Sequence, residues 1–488
     1  MVNPMFDALF APLAGRADTL LTLADGMGIS GQAFLAMVAQ QAHALSSVGV
    51  RPGDRVAVQV AKSPAALATY GACVALGAVY LPLNVAYTAG EIDYFLRDAA
   101  PAVFVCDPGF AAPTGVRVLT MDAQGAGSLA DMAAGMPVEF AAVARGPDDL
   151  AALLYTSGTT GRSKGAMLSH GNLLSNAEVL VQAWQFTPAD VLLHALPIFH
   201  THGLFVATNV ALLARARMIF LPGFDAGQVM GLLPQATVMM GVPTFYVRLL
   251  DQPGLAAVAA ERRLFISGSA PLLAETHRAW EAVTGQRILE RYGMTETNMN
   301  TSNPYDGERR AGTVGPPLPG VELRIMGEVG PVEDGVGVIE VRGPNVFQGY
   351  WQMPEKTAEE LRPNGWFITG DLGQMVDGYL DIVGRAKDLV ITGGYNVYPK
   401  EVELALDAVP GVVETAVIGL PHSDFGEAVF AVIVGDVAAD LALAAVAPVL
   451  ARFKQPKGAV VVAALPRNAM GKVQKAVLRE AYKGWFGG

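Results

Sequence analysis

Charge is scarce in this 488-residue chain: Asp, Glu, Lys and Arg make up 16% of it, whereas 52% is hydrophobic. A composition this apolar excludes extended disorder and gives the chain ample material for large cores. It does not supply a membrane span, because no apolar run reaches the ~18 residues that a crossing helix needs. The nearest candidate, Gly203 to Leu213, is followed by Arg215 and Arg217. Positive charge is in deficit. The formal net charge of −11 argues against broad nucleic-acid binding and leaves room for a local basic pocket. Cysteine is nearly absent, and Cys73 and Cys106 both sit in apolar surroundings. They read as buried thiols of a cytoplasmic protein, not as a disulfide framework. Asp7 and Pro12 interrupt any secretory leader early, and no internal repeat or low-complexity tract appears.

What the chain does have is a loop of small, hydroxylated and basic residues, Tyr155-Thr156-Ser157-Gly158-Thr159-Thr160-Gly161-Arg162-Ser163-Lys164-Gly165. An apolar run, Leu150 to Leu154, predicts a buried strand before it, and a helix is predicted to open near Asn172. Glycines let the backbone approach an anion, hydroxyls and N–H groups donate to it, and Arg162 and Lys164 bring charge. Taken alone, the loop fits a phosphate cradle or a solvated turn carrying two surface cations. Its spacing is not that of the Walker loop.

The length suggests about two to four domains. Through residue 150, helical patterns alternate with short runs such as Arg55 to Val60, Ala78 to Pro82 and Val103 to Cys106, which predicts βαβ units and a largely parallel sheet. The same grammar continues through Val191 to Leu196, Met218 to Leu221, Ala236 to Met240 and Leu264 to Ile266. From about Gly320 the strands shorten and turns crowd in, as in Val321 to Ile325, Gly337 to Arg342 and Gly378 to Val383. Past Lys387, strands at Leu389 to Thr392, Glu414 to Ile418 and Ala428 to Val434, with a helix from Pro399 to Leu406, predict a separate α+β domain of about a hundred residues.

Further stretches converge on nucleotide chemistry. Ser267-Gly-Ser-Ala-Pro271 follows a strand, with Pro271 predicted in the first turn of a helix. Tyr292-Gly-Met-Thr-Glu296 offers an aromatic face, a hydroxyl and a carboxylate suited to Mg²⁺. Phe367-Ile-Thr-Gly-Asp371, Gly384-Arg-Ala-Lys-Asp388 and Arg467-Asn-Ala-Met-Gly-Lys472 add an acid after a strand, a basic turn and a loop lysine. Each alone is an ordinary surface feature. In this order, from about residue 30 to 480, they resemble the acyl-adenylate-forming superfamily of acyl-CoA synthetases, luciferase-like enzymes and peptide-synthetase adenylation domains.

The resemblance implies an α/β multidomain fold. A large N-terminal AMP-binding domain of stacked α/β and β subdomains would span residues 1–386. A small mobile C-terminal lid would span 387–488, with its hinge near Lys387. It also implies roles. Thr156, Ser157, Gly158, Thr159, Thr160, Gly161 and Lys164 would cradle the β- and γ-phosphates of ATP, while Thr156 and Glu296 would hold Mg²⁺. Ser269, Ala270, Glu290, Arg291, Gly293 and Thr295 would wall the nucleotide, with Tyr292 stacked on adenine and Asp371 and Arg385 on the ribose. Lys472 would bridge the attacking carboxylate and the α-phosphate. Lid rotation at Lys387 would then bring Gly393, Gly394 and Tyr395 to a channel for the pantetheine of coenzyme A. The catalytic set implied is Lys472, Thr156, Glu296 and His200.

The acyl pocket decides the acid. His200 and His202 follow a predicted strand at a place that borders the acyl site in the superfamily, and His202 reads equally as a hydrogen-bonded core residue. Ala270, Ala274 and Arg278 form one stripe if the Pro271 segment is helical. Pattern alone puts Arg278 on the surface, but a side chain leaning toward the helix N-terminus can reach the Ser269 end. A cation there would select a short dicarboxylate. Phe199-His-Thr-His-Gly-Leu-Phe205, the stretch from Glu290 to Tyr305, and Gly394-Tyr-Asn-Val-Tyr-Pro399 resemble the malonyl-CoA synthetases within the superfamily. A trimmed connection from Met326 to Val332 departs from the commoner pattern. That resemblance assigns His200, Ser269, Arg278 and Met294 to the substrate, and expects malonate (with methylmalonate as its near relative), ATP and coenzyme A as small-molecule partners. Lysine-acetylating enzymes acting on Lys472 are expected, nucleic acid is not, and the assembly is a monomer or homodimer. The rivals are a ligase for a short-chain or aromatic monocarboxylic acid and a non-catalytic binding protein.

Overall fold

The computed structural model describes residues 2–111, 115–156, 163–392, 395–422, 424–468 and 471–486. Two compact units result, Met1–Glu322 with Val341–Phe367, and Leu323–Glu340 with Ile368–Gly488. Contact therefore groups the small sheet around Phe367–Val376 and Tyr379–Arg385 with the C-terminal residues, whereas the boundary expected from the resemblance lies at 386/387.

In the first unit, one sheet has the strand order Asn298–Ser302, Leu289–Met294, Leu264–Ser267, Val238–Gly241, Val191–His194, Arg217–Phe220, Thr19–Thr22 and Gly28–Ser30. Its inner strands run parallel and each edge strand is antiparallel. Parallel strands are covered on both faces and so are apolar throughout; Leu264, Phe265 and Ile266 are all fully buried. On one face Leu193, Ile219, Met239 and Phe265 pack against Tyr246 and Trp280.

A second sheet orders Arg117–Thr120, Val103–Cys106, Arg55–Gln59, Val79–Pro82, Leu150–Thr156 and Lys164–Ser169. Only its last pair is antiparallel. Its crossover helix Pro64–Leu76 has the sequence signals in place: Ser63 caps the Ala66 amide, Pro64 opens the first turn, and Gly77 closes it at φ 72°. The carboxyl ends of parallel strands are where such sheets bind ligands. Here they carry the turns that hold Lys62, His202 and Ser269.

The second unit contains the small sheet, in which Asp371 pairs across with Arg385. It also contains a sheet ordered Tyr395–Val397, Val390–Thr392, Gly426–Gly435 and Val412–His422, with Gly458–Val462 beside Gly426–Gly435. Helix Pro399–Asp407 buries Val402 and Leu406 against one face of that sheet, and Leu478 from helix Lys475–Tyr482 packs on the other. Among the described residues no helix is long and apolar enough to cross a membrane.

Candidate active site

Thr156 ends one strand and Lys164 begins its antiparallel partner, and the two residues face each other across the ladder. The Thr156 hydroxyl donates to the Lys164 carbonyl at 3.4 Å. Ser157, Gly158, Thr159, Thr160, Gly161 and Arg162, the body of the expected cradle, lie outside the described residues, as do Gly393 and Gly394. Helix Ala89–Ala99 holds both margins of the cradle. Tyr94 donates to the Ser163 carbonyl at 2.8 Å, and the Tyr155 hydroxyl bonds Asp98.

Lys164 is engaged. Its ammonium lies 3.0 and 3.1 Å from the two carboxylate oxygens of Glu360, and 4.0 Å from the centre of the Tyr350 ring. Glu296 is buried, and burial pushes its carboxyl above the usual range. One of its oxygens lies 3.1 Å from the Tyr350 hydroxyl, which also bonds Glu360. The cation and the metal-binding carboxylate expected from the sequence are thus joined by two residues that the motifs did not single out.

A second cluster gathers at the strand ends. Ser269 adopts φ 74°, a left-handed backbone rare outside glycine. This kink breaks the predicted helix: it begins at Ala274, not Pro271, so Ala270 lies outside it and the Ala270–Ala274–Arg278 stripe is not one helical face. His202 opens a π-helical stretch, His202–Thr208, and its Nδ1 lies 3.1 Å from Ser269 Oγ. Burial, reinforced by the nearby charge of Arg291, holds the imidazole far below its usual pKa. It is neutral at pH 7. Arg291 is only 3% exposed, and its Nε and Nη2 have no hydrogen-bond partner among the described residues. Burial lowers its pKa to about 9.

The other expected residues vary in position. His200 is half-buried near His202, and Met294 and Thr295 are half-buried at the turn after Leu289–Met294. Tyr292 and Glu290 are buried; Glu290 accepts from the Leu272 amide at 3.4 Å. Gly293 is required where it stands, since a β-carbon there would sit 1.8 Å from the Asn298 carbonyl oxygen. Arg278 is exposed on its helix, while His277 and Trp280 turn inward. Within the first unit, the buried guanidinium beside Ser269 belongs to Arg291.

In the second unit, Asp371 lies inside a ten-residue strand, not after it. Its carboxylate pairs with Arg385 Nε at 2.8 Å. Lys387 occupies the helical turn Ala386–Asp388 and is exposed. Lys472 is half-buried at a turn where its own amide donates to Asn468 Oδ1 at 3.0 Å. Burial lowers its ammonium pKa to about 8, helped by Arg385 and Lys387 and opposed by Asp371. Tyr395 is exposed and stacks on Phe453.

Sequence reasoning missed Tyr350, Glu360 and Lys62. The Lys62 amine, at the carboxyl end of one sheet, donates to His194 Nδ1 at 2.9 Å and to its carbonyl at 2.8 Å, linking both sheets. Gly349-Tyr350-Trp351, framed by aromatic and apolar residues, was the available signal for Tyr350. For Lys62 and Glu360 no pattern in the sequence distinguishes them from surface charges.

Among the described residues no group of three or more His, Cys, Asp or Glu is arranged to hold a metal. A lone buried carboxylate with a neighbouring hydroxyl instead suits a Mg²⁺ ion that arrives on nucleotide phosphates and takes one or two ligands from protein. Glu296 has that character, with the Tyr350 hydroxyl 3.1 Å away; Thr156, expected as its fellow ligand, ends the strand that leads into the cradle.

The profile of the AMP-binding enzyme family matches residues 14–351, and that of the AMP-binding enzyme C-terminal domain matches 401–472. A malonate–CoA ligase of Arabidopsis thaliana is 40% identical over 371 residues, 68% of this chain; the chain spans 61% of that relative's length. A feruloyl-CoA synthase of an Amycolatopsis species is 36% identical over 461 residues, covering 91% of this chain and 92% of the relative. ATP-bound MatB from Rhodopseudomonas palustris superposes with a TM-score of 0.97 at 56% identity, covering 100% of both chains.

Proposed function

Because the chain belongs to the AMP-binding enzyme family, we propose that it joins malonate to coenzyme A through a malonyl-AMP intermediate, releasing AMP and pyrophosphate. The Arabidopsis relative's activity and the MatB likeness support this reading. The observation that carries the choice of acid is Arg291, a buried guanidinium beside the His202–Ser269 pair with two nitrogens unpartnered among the described residues. A buried cation without a carboxylate of its own is a place for the substrate's second one.

In the first half-reaction one malonate carboxylate attacks the α-phosphorus of ATP, and the bond to pyrophosphate breaks. The protein's work is positioning and charge neutralisation. Thr156 to Lys164 hold the β- and γ-phosphates, and Tyr292 with Ser269, Ala270, Glu290, Gly293 and Thr295 encloses the base, Arg291 of the same expected wall being turned toward the acyl side. Asp371 and Arg385 hold the ribose, and the Lys472 ammonium bridges the attacking oxygen and the α-phosphate. Bound at Glu296 and Thr156, Mg²⁺ supplies further neutralisation of phosphate charge. Arg278, His200, Ser269 and Met294 shape the acyl pocket, with His202 and Arg291 behind Ser269. Residues 387–488 then turn about Lys387, so that Lys472 leaves and Tyr395 with Gly393 and Gly394 lines the path of the thiol, which attacks the acyl carbonyl and expels AMP. Acetylation of Lys472 removes the charge that the first step uses. The free, buried thiols of Cys73 and Cys106 suit a cytoplasmic setting.

A second reading, a ligase for an aromatic or short-chain monocarboxylate, is favoured by the exposure of Arg278 and by the feruloyl-CoA synthase likeness. The deciding experiment measures thioester formation from malonate, methylmalonate, butyrate and ferulate, with wild type beside Arg291→Met. Losing a contact to a desolvated carboxylate should cost malonate about 2–5 kcal/mol and leave monocarboxylates nearly unchanged. Turnover of ferulate or butyrate with malonate inert would replace the substrate and keep the chemistry.

A further inference from the structure

The lysine expected to meet the phosphates is already paired within the first unit. Lys164 straddles both oxygens of Glu360 at 3.0 and 3.1 Å, with side chains 17% and 23% exposed. Two features of Glu360 are not needed by a simple ion pair. A second ammonium, Lys356, one helical turn earlier, lies 3.0 Å from the same Glu360 oxygen that Lys164 approaches at 3.0 Å. The Tyr350 hydroxyl bonds Glu360 and lies 3.1 Å from Glu296. A phenol has one hydrogen, so it can serve one of the two carboxylates at a time.

We propose that Glu360 is an internal counter-anion for Lys164, displaced when nucleotide phosphates arrive, with Lys356 keeping the released carboxylate and Tyr350 tying the exchange to Glu296. This rests on the reading that ATP binds with its phosphates at Lys164. Before ATP binds, Glu360 neutralises the lysine that the phosphates later take. When the phosphates take Lys164, Glu360 still has Lys356 and can turn the Tyr350 hydrogen toward itself. Glu296 then loses a donor at the moment a cation is delivered beside it. Glu360, Lys356 and Tyr350 are positioning residues, since none is required to touch the reacting atoms.

The arrangement predicts opposite effects from two residues on one short helix, Pro354–Glu360. Titration calorimetry of the full-length protein with ATP in EDTA should show Glu360→Gln binding about fivefold tighter than wild type, the upper range for a partly exposed ion pair. Lys356→Met should bind about two- to threefold weaker, because Lys164 is then the one ammonium left on Glu360 among the described residues. AMP, which has no phosphate to place at Lys164, should bind all three proteins alike. Tyr350→Phe should shrink the gain in ATP affinity that Mg²⁺ brings to wild type. If Glu360→Gln does not fold, the Lys356→Met contrast between ATP and AMP carries the test. The proposal is overturned if both helix variants shift ATP binding in the same direction, if AMP shifts with ATP, or if neither moves. Failure of wild type to bind ATP at all would remove the underlying nucleotide reading as well.

Discussion

The guanidinium of Arg291 lies flat against Gly268, so close that a β-carbon on Gly268 would sit 2.3 Å from Arg291 Cζ and Nη1. The glycine is there to let a buried cation pass beneath the turn that presents Ser269. Gly268→Ala should therefore push the guanidinium aside, at an overpacking cost of about 1–3 kcal/mol. The expected result is a malonate kcat/KM at least about tenfold lower with ATP affinity retained, read from steady-state kinetics and from calorimetry. Equal losses toward malonate and butyrate would show that the turn, not the charge, was damaged.

Gly293 makes a different case, because the atom in the way is backbone. A β-carbon there would meet the Asn298 carbonyl oxygen at 1.8 Å, inside the hairpin that carries Met294 to Glu296. No side chain can move to relieve that clash, so Gly293→Ala must shift one strand against the other. The cost should exceed about 3 kcal/mol. Thermal unfolding followed by circular dichroism should show a clear drop in midpoint, larger than for Gly268→Ala.

Lys472 should impose an alkaline limit on adenylation. Its folded pKa is lowered to about 8, so its proton is lost at lower pH than from a solvated lysine. If the charged form does the bridging, as proposed, activity is present below that value and declines as pH rises through it. ATP–pyrophosphate exchange, plotted as kcat/KM for ATP, should lose its alkaline limb in Lys472→Arg, whose charge persists. Lys472→Ala should abolish exchange while sparing thioester formation from supplied malonyl-AMP. Loss of both steps together would show that Lys472 serves the fold instead.

Much of the fold was legible because parallel strands announce themselves as short apolar runs. Val103 to Cys106 and Gly337 to Arg342 begin and end where expected, and the others shift by a few residues. The helix after the phosphate loop opens at His170, two residues before the expected Asn172, because Ser169 and Asn172 cap each other reciprocally. What could not be read was side-chain direction in irregular segments. The left-handed Ser269 delays a helix by three residues and so takes Ala270 out of the face that Ala274 and Arg278 were expected to share with it. Arg291 was expected at the nucleotide wall, but its strand position turns it into the core beside Gly268. His202 was ambiguous between core and site, and it is both buried and bonded to Ser269. Tyr350 and Glu360 reach Lys164 across nearly 200 positions of sequence, a distance over which no local pattern operates.

Arg291 itself offers the sharpest separation of stability from function. Its Nε and Nη2 are buried without partners among the described residues, and burial has already lowered its pKa to about 9, so the charge is held in the fold at a cost. Arg291→Met keeps most of the volume and removes the unpaired cation. If Arg291 serves only packing, the variant should behave like wild type or unfold sooner. If the cation is kept for a carboxylate of the substrate, the melting midpoint should hold or rise, since replacing buried charge by apolar volume is often neutral or stabilising by about 1–4 kcal/mol. The KM for malonate should then rise about tenfold or more while butyrate is used as well as before or better. Both readouts come from one protein, a melting curve and a pair of substrate titrations. A lower midpoint with unchanged malonate KM would return Arg291 to the core and leave the dicarboxylate to Arg278.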